Sequence, residues 1–292
     1  PPVLVDWLPW NHTFGGSHNL GIVLYNGGSF YLDDGKPTAQ GFAQTLRNLK
    51  EVSPTAYLTV PKGWEELVNA LEQDAELRAC FFKRMSLFFF AAAGLSQSLW
   101  DRLDRVAEQH CGERIRMMAG LGMTEASPSC TFTTGPLSMA GYIGLPAPGC
   151  EVRLVPVDGK LERRCCGLHI MPGYWLSPQQ TREVFAAQGF YCSGDALKLA
   201  DPRDPQLGLM FDGRIAEDFK LSSGVFVSVG PLRNRAVLEG SPYVQDLVIA
   251  APDRECLGAL VFPRLYECRR LAGLGAQASD AQVLDSEPVR QW

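Results

Sequence analysis

"GLGMTEASP", Gly120 to Pro128, is the stretch on which the reading of the fold turns. Two glycines precede a hydroxyl and a carboxylate, those of Thr124 and Glu125. Small residues at a strand end let backbone N–H groups approach a phosphate and form an anion-binding concavity. A threonine hydroxyl can donate to a phosphate oxygen, and a carboxylate is a hard oxygen ligand suited to Mg²⁺. The same residues also suit a plain turn followed by a polar cap, so the stretch by itself leaves both readings open.

Working outward, "RIRMMAGLGMTE" runs from a strand into that turn. Before it, "SQSLWDRLDRVAEQHCG" places Leu99, Leu103, Val106 and His110 on one side of a helix, with Gly112 as its terminator. "SLFFFAAAGLSQ" reads as a buried strand ending in a small-residue turn. A helical stretch from Trp64 carries Leu67, Val68 and Leu71 on one face. "TAQGFAQTLRNLKEV" sets Phe42, Leu46 and Leu49 at helical spacing, and "TAYLTV" follows as a strand. "GIVLYNGGSFYL" reads as two short strands around the turn Asn26-Gly27-Gly28. This alternation predicts an α/β arrangement. After Gly141 the texture changes to glycine, proline and short alternating strands such as "CEVRLVPVDGKLE", which predicts a mainly β unit over 141–212. From about Gly213, "VFVSV", "QDLVIAAPD" and "LGALVFP" predict the strands of a small α/β appendage.

Composition bounds the function. The 292 residues carry a formal charge of −5 with no basic cluster, which argues against a nucleic-acid binder. The longest apolar run, "LFFFAAAGL", is too short to span a bilayer. Nine cysteines at irregular spacing do not suggest a disulfide framework, so reduced thiols in a cytoplasmic setting are expected. No C-x-x-C occurs and the four histidines are scattered, which argues against a structural zinc site.

Three further stretches carry candidate chemistry. In "GFYCSGDALKL", Asp195 at a glycine turn can accept hydrogen bonds from two vicinal hydroxyls, although Gly-Asp is also common turn chemistry. "FDGRIAEDFKLSSG", Phe211 to Gly224, mixes charge signs before a serine-glycine turn and suits either an interdomain hinge or a solvated loop. In "PWNHTFGG", His12 lies among Trp7, Trp10 and Phe14, a setting more typical of a packed histidine than of a catalyst, yet suited to bordering a substrate.

Taken in order, "PWNHTFGG", "AAAGLSQ", "GLGMTE", "GYIGLPAPGCEVRLV", "PGYW", "YCSGD" and "GRIAEDFKLSSG" resemble the core motifs of the acyl-adenylate-forming superfamily. "LPWNHTFGG", "DDGKP", "GLGMTEASP" and the form of the hinge are most similar to feruloyl-CoA synthases. The resemblance implies an enzyme that joins a carboxylic acid to ATP, releases pyrophosphate, and passes the acyl group from AMP to coenzyme A. It implies Thr124 on the α-phosphate, Glu125 on magnesium, and Gly120, Leu121 and Gly122 as the wall of the adenine and acyl pockets. It further implies Gly94 at the nucleotide, Asp195 and Arg214 on the ribose, and His12 bordering the acid. Phe14, Tyr25 and Met123 are candidate walls for a flat phenylpropenoid acid.

The implied architecture is part of a large N-terminal adenylation domain, residues 1–212, with α/β layers to about 140. A hinge at 213–220, its pivot within Ala216–Asp218 and Lys220 on the far side of the pivot, and a truncated C-terminal domain at 221–292 complete it. The family's phosphate-embracing Ser/Thr loop and its late adenylation lysine are not found, so an internal fragment is expected, one that does not make acyl-CoA by itself and tends to self-associate. Leu121 stands where many relatives stack an aromatic on adenine, and "RRCCGLHI" departs from the usual strand leading to Arg-Gly-Pro. A shortened, non-catalytic nucleotide binder and an adenylating enzyme with an acceptor other than coenzyme A are the alternatives. A serine hydrolase is set aside for want of G-x-S-x-G, and a Rossmann oxidoreductase because Glu125 occupies the place of the third dinucleotide glycine.

Overall fold

A computed structural model describes residues 1–292 apart from 39, 136, 224 and 253, and the chain divides into two units, Pro1–Phe211 and Asp212–Trp292. Gly224, the end of the hinge stretch, lies outside the described residues.

The first unit opens with β1 (Val3–Asp6) and β2 (Ser29–Leu32), which pair in parallel. Between them runs α1 (Leu20–Asn26), preceded by a wide helical turn over Phe14–Asn19. Residues 20–26 are therefore a helix and not the first arm of a hairpin. Gly27 closes α1 in the left-handed conformation at φ +62°, a helix C-cap that glycine adopts without steric penalty. Phe14, Asn19 and Val23 all fall on its buried side, a spacing of four to five residues that a strand does not offer.

Next come α2 (Phe42–Glu51), β3 (Ala56–Thr59), α3 (Pro61–Gln73), α4 (Ala75–Phe82), β4 (Leu87–Phe90), α5 (Gln97–Cys111) and β5 (Arg116–Gly122). Strands β3, β4 and β5 are parallel. Their boundaries follow from local chemistry. Pro61 begins α3, where a missing N–H does no harm. The Asp74 and Ser96 side chains accept from the N–H groups of Leu77 and Leu99 to cap α4 and α5, and Gly112 at φ +79° ends α5. Trp64, Leu67, Leu71, Phe81, Phe88 and Leu103 are fully buried in one cluster against the helices. Each such side chain contributes roughly 1.5–3 kcal/mol by leaving water. Phe89 points the other way, into a second cluster with Leu4, Leu8, Phe14, Val23 and Leu58. Covered faces on both sides explain why β4 is an unbroken apolar run.

At β5 the sheet changes character, parallel to β4 and antiparallel to β6 (Ser129–Phe132). The strands continue through β7 (Tyr142–Pro146), β8 (Glu151–Val157), β9 (Lys160–Cys166), β10 (Tyr191–Leu199) and β11 (Leu209–Arg214), giving the nine-stranded order β3-β4-β5-β6-β7-β11-β10-β9-β8. A short helix, α6 (Pro178–Val184), precedes β10. The α/β class expected from the alternation is the class observed, with one large mixed sheet.

The second unit contains β12 (Phe219–Lys220) paired with β13 (Phe226–Val227), then α7 (Val229–Glu239), and the antiparallel pair β14 (Val244–Ala250) and β15 (Gly258–Pro263). Among the described residues, no helix is long and apolar enough to cross a membrane.

Candidate functional site

Strand ends decide what can meet. Phe90 of β4 is registered beside Ala119 of β5, so the loop after β4, with Gly94, and the end of β5, Gly120–Gly122 with the turn that follows from Met123, leave the parallel strands at the same edge. The C-terminal edge of parallel strands, where the strand pattern changes, is where α/β proteins place ligands. Gly94 is exposed and a Cβ there would meet open space. Gly122 is different: a Cβ would fall 1.5 Å from the Pro128 carbonyl oxygen, so only glycine lets the chain fold back at Ser129. Gly120 faces Phe89 and Phe132, and Leu121 packs toward Ile143, Leu197 and Leu209.

The turn itself is a short helical bend over Thr124–Ala126. Thr124 is exposed and Glu125 half-buried. Glu125 Oε1 accepts from the Tyr174 hydroxyl at 2.9 Å, and its carbonyl accepts from Met171 N at 2.8 Å. Tyr174 lies in turn 3.3 Å from the Tyr191 hydroxyl. "GLGMTE", "PGYW" and "YCSGD", far apart in the sequence, thus meet in one chain of hydrogen bonds. Burial, then the bond to Tyr174, raises the Tyr191 phenol above its ordinary value. The Tyr191 contact pulls Tyr174 down, but burial and Glu125 together leave it raised.

Asp195 is buried, with Oδ2 2.9 Å from Arg163 Nη2. Arg163 is fully buried; its Nε donates to Ser193 Oγ at 3.2 Å, and its Nη2 lies 3.8 Å from Met123 Sδ. The carboxylate expected on a ribose is held by a guanidinium that the sequence reading did not single out. The available signal was phase: Arg163 falls on the same face of β9 as Leu161 and Cys165, two residues to either side.

The four residues expected to line the acid pocket fall in different surroundings. His12 is exposed, and its Nδ1 accepts from Phe14 N at 3.2 Å, a local cap. Phe14 is buried in the core beside Phe89. Tyr25 is 92% exposed, because α1 turns that side of the helix outward together with Leu24. Met123 packs toward Arg163 and Tyr191.

The histidine in an aromatic setting is His18, stacked 4.9 Å from Phe89 and edge-on to Phe14 at 5.6 Å. Burial lowers its basicity, against the bond from Asn19. Its Nδ1 lies 2.9 Å from Asn19 Oδ1, and Asn19 Nδ2 donates to Asp6 Oδ2 at 2.8 Å. Burial raises Asp6 to about 6, against hydrogen bonds from Leu8 N and Asn19. The signal for His18 was its place one helical turn after Phe14.

Arg214 and Lys220 belong to the second unit, both exposed. Within it, Asp218 Oδ1 accepts from Val229 N at 2.8 Å at the start of α7. Gly213 and Gly230 lie so close that a Cβ on Gly230 would reach 2.5 Å from the Gly213 Cα.

Comparison with known proteins places these features in a family. The chain is 28% identical over 264 residues to the chloroplastic long-chain-fatty-acid–[acyl-carrier-protein] ligase AEE15 of Arabidopsis thaliana, covering 83% of this chain and 36% of that protein. It is 29% identical over 307 residues to the human long-chain-fatty-acid–CoA ligase 6, covering 89% and 42%. It therefore spans well under half of these relatives' length. Among solved structures it is similar in fold to ATP-bound MatB from Rhodopseudomonas palustris, with a TM-score of 0.69, 23% identity, and coverage of 97% of this chain and 52% of that one. The pattern of the AMP-binding enzyme family matches residues 2–175, more than half of the chain, and the chain belongs to that family.

Proposed function

We propose that this chain is the central part of an ATP-dependent acid ligase, which forms an acyl-adenylate and then an acyl-CoA thioester, with a phenylpropenoid acid such as ferulate as substrate. The observation that carries the reading is the convergence of three motif stretches on Glu125 through Tyr174 and Tyr191.

In the first half-reaction a carboxylate oxygen bonds to the α-phosphorus of ATP, and the bond to pyrophosphate breaks. Thr124 donates its hydroxyl to an α-phosphate oxygen, and the turn from Gly120 offers backbone to the nucleotide. Glu125 and the substrate phosphates are a hard-oxygen donor set that suits Mg²⁺, which keeps several waters and takes few protein ligands. When bound, the ion neutralises charge that builds on the phosphate. Tyr174 fixes Glu125 by its hydrogen bond, so the carboxylate is oriented before ligands arrive. In the second half-reaction the thiol of coenzyme A gives up its proton, its sulfur bonds to the acyl carbon, and AMP leaves. Asp195 and Arg214 on the ribose, a hinge at 213–220 with its pivot within Ala216–Asp218 and Lys220 on the far side of that pivot, a C-terminal domain from 221, and His12 beside the acid rest on the resemblance alone.

A second reading of the acid, a long aliphatic chain, is favoured by the names of the curated relatives. Binding of unreactive acyl-sulfamoyl adenosines separates the two. Feruloyl-sulfamoyl adenosine is expected to bind at least about tenfold tighter than the palmitoyl compound, a difference of 1.4 kcal/mol. Glu125→Gln is expected to lower pyrophosphate exchange in the complete reading frame without loss of the folded state. Tighter palmitoyl binding replaces the acid assignment, and absence of binding by either compound overturns the ligase reading.

A further inference from the structure

Behind the Thr124–Ala126 bend lies a cluster the adenylation chemistry does not use. Cys130, Cys150 and His169 each bring one donor atom to within 4.8 Å of the other two. Both cysteines are buried, and a third thiol, Cys165, hydrogen-bonds Cys130 from the β9 side. His169 Nε2 is buried with no hydrogen-bond partner among the described residues.

We propose that Cys130, Cys150 and His169 form a structural site for a soft divalent cation of the zinc class. Two thiols and an imidazole are the donor set zinc prefers over the hard cations, which seek oxygen. With Zn–S near 2.3 Å and Zn–N near 2.0 Å, donors on one tetrahedral ion lie roughly 3.5–4 Å apart. The present spacing closes to that by side-chain adjustment. As each metal–sulfur bond forms, the thiol releases its proton to solvent.

The backbone holds these donors ready. Ala147 N donates to Cys130 O at 2.8 Å and Cys150 N to Ala147 O at 2.9 Å, fixing the two cysteines on adjoining segments. Glu151 of β8 is registered beside Cys166 of β9, which brings the end of β9 to Cys150. A Cβ on Gly167 would lie 2.7 Å from His169 Nδ1 and Cε1, so glycine there makes room for the imidazole. Sequence spacing hides the site, because the ligands come from β6, the approach to β8 and the exit from β9. It falls at "RRCCGLHI", the stretch that departs from the family's pattern. Ala126, next to Glu125, packs in the same cluster, so an ion here pins the back of the bend that carries the phosphate and magnesium candidates.

The test is a titration of the full reduced, chelator-stripped chain with Co²⁺, followed by Zn²⁺. One equivalent of cobalt is expected to give sulfur-to-cobalt charge-transfer and the intense d–d absorption of a tetrahedral site, and one equivalent of zinc to bleach both. Cys130→Ser and Cys150→Ser should each diminish the charge-transfer band and weaken zinc by at least about tenfold. Cys111→Ser, at an exposed thiol, should change neither. His169→Gln, at a half-buried position, should keep the charge-transfer band, alter the d–d envelope and weaken zinc, and it serves should a cysteine variant not fold. A wild-type chain without the band, a band that survives both cysteine substitutions, or a d–d envelope indifferent to His169→Gln overturns the proposal.

Discussion

On the β1 side of the first unit, Asp6 is buried against an amide and a backbone N–H; on β10, Asp195 is buried against a guanidinium. The same side chain, both times nearly without solvent, is accommodated in two ways. Asp6 is hydrogen-bonded by dipoles and has no counter-charge among the causes that move it; burial, with the like charge of Asp33 adding to it, moves it to about 6, where taking up a proton relieves the charge. Asp195 meets the full charge of Arg163, itself held by Ser193. Dipoles make a site responsive to pH, whereas a buried counter-charge makes one whose integrity depends on both partners.

The sharpest way to break this comparison is Arg163→Met, which removes the cation facing Asp195 while keeping apolar volume. It is expected to destabilise the first unit by about 3–5 kcal/mol in denaturant unfolding. A loss below about 1 kcal/mol would mean that Asp195 does not depend on the guanidinium. The next effect is a pH dependence. Because burial raises the native carboxyl of Asp6 from its ordinary value of 3.8 to about 6, the folded state binds more protons between those values. Its contribution is therefore fully present below 3.8 and lost as pH rises through about 6, a span of about 3 kcal/mol. His18, lowered by burial, acts with the opposite sign, losing stability as pH falls below the ordinary histidine range. Asp6→Asn should flatten the falling limb and leave the histidine limb; unfolding curves from pH 3 to 8 that keep the same slope in the variant would refute the assignment. The smallest change is Ser193→Ala, which removes the hydroxyl between Arg163 Nε and the Arg163 carbonyl. About 1 kcal/mol is expected, and a loss approaching that of Arg163→Met would put the weight of the network on the hydroxyl.

The fold was legible wherever periodicity and punctuation agreed. Trp64, Leu67, Val68 and Leu71 marked α3, and Gly112 ended α5 where the pattern ended. The reading failed at "GIVLYNGGSFYL", where a glycine pair signals a hairpin turn and a helix C-cap equally well. Packing of Val23 beside Phe14 decided for the helix. At the site, order and residue type brought Glu125 forward, but Tyr174 as its partner could not be read from spacing, since hydrogen bonds across a sheet leave no local period. His12 was read as the histidine bordering aromatics and His18 was missed for the same reason: only the helical turn carries His18 beside Phe14 and Phe89.

By itself the sequence determined the α/β class, the places of α2, α3 and α5 with the strands between them, and the order of motifs that mark the family, because these depend on periodicity and on residues a few positions apart. Only the tertiary structure decided that Arg163 faces Asp195, that Tyr174 holds Glu125, and that Cys130, Cys150 and His169 converge. Such contacts join strands distant in the chain, and which side chains meet is set by register and by the face each strand buries.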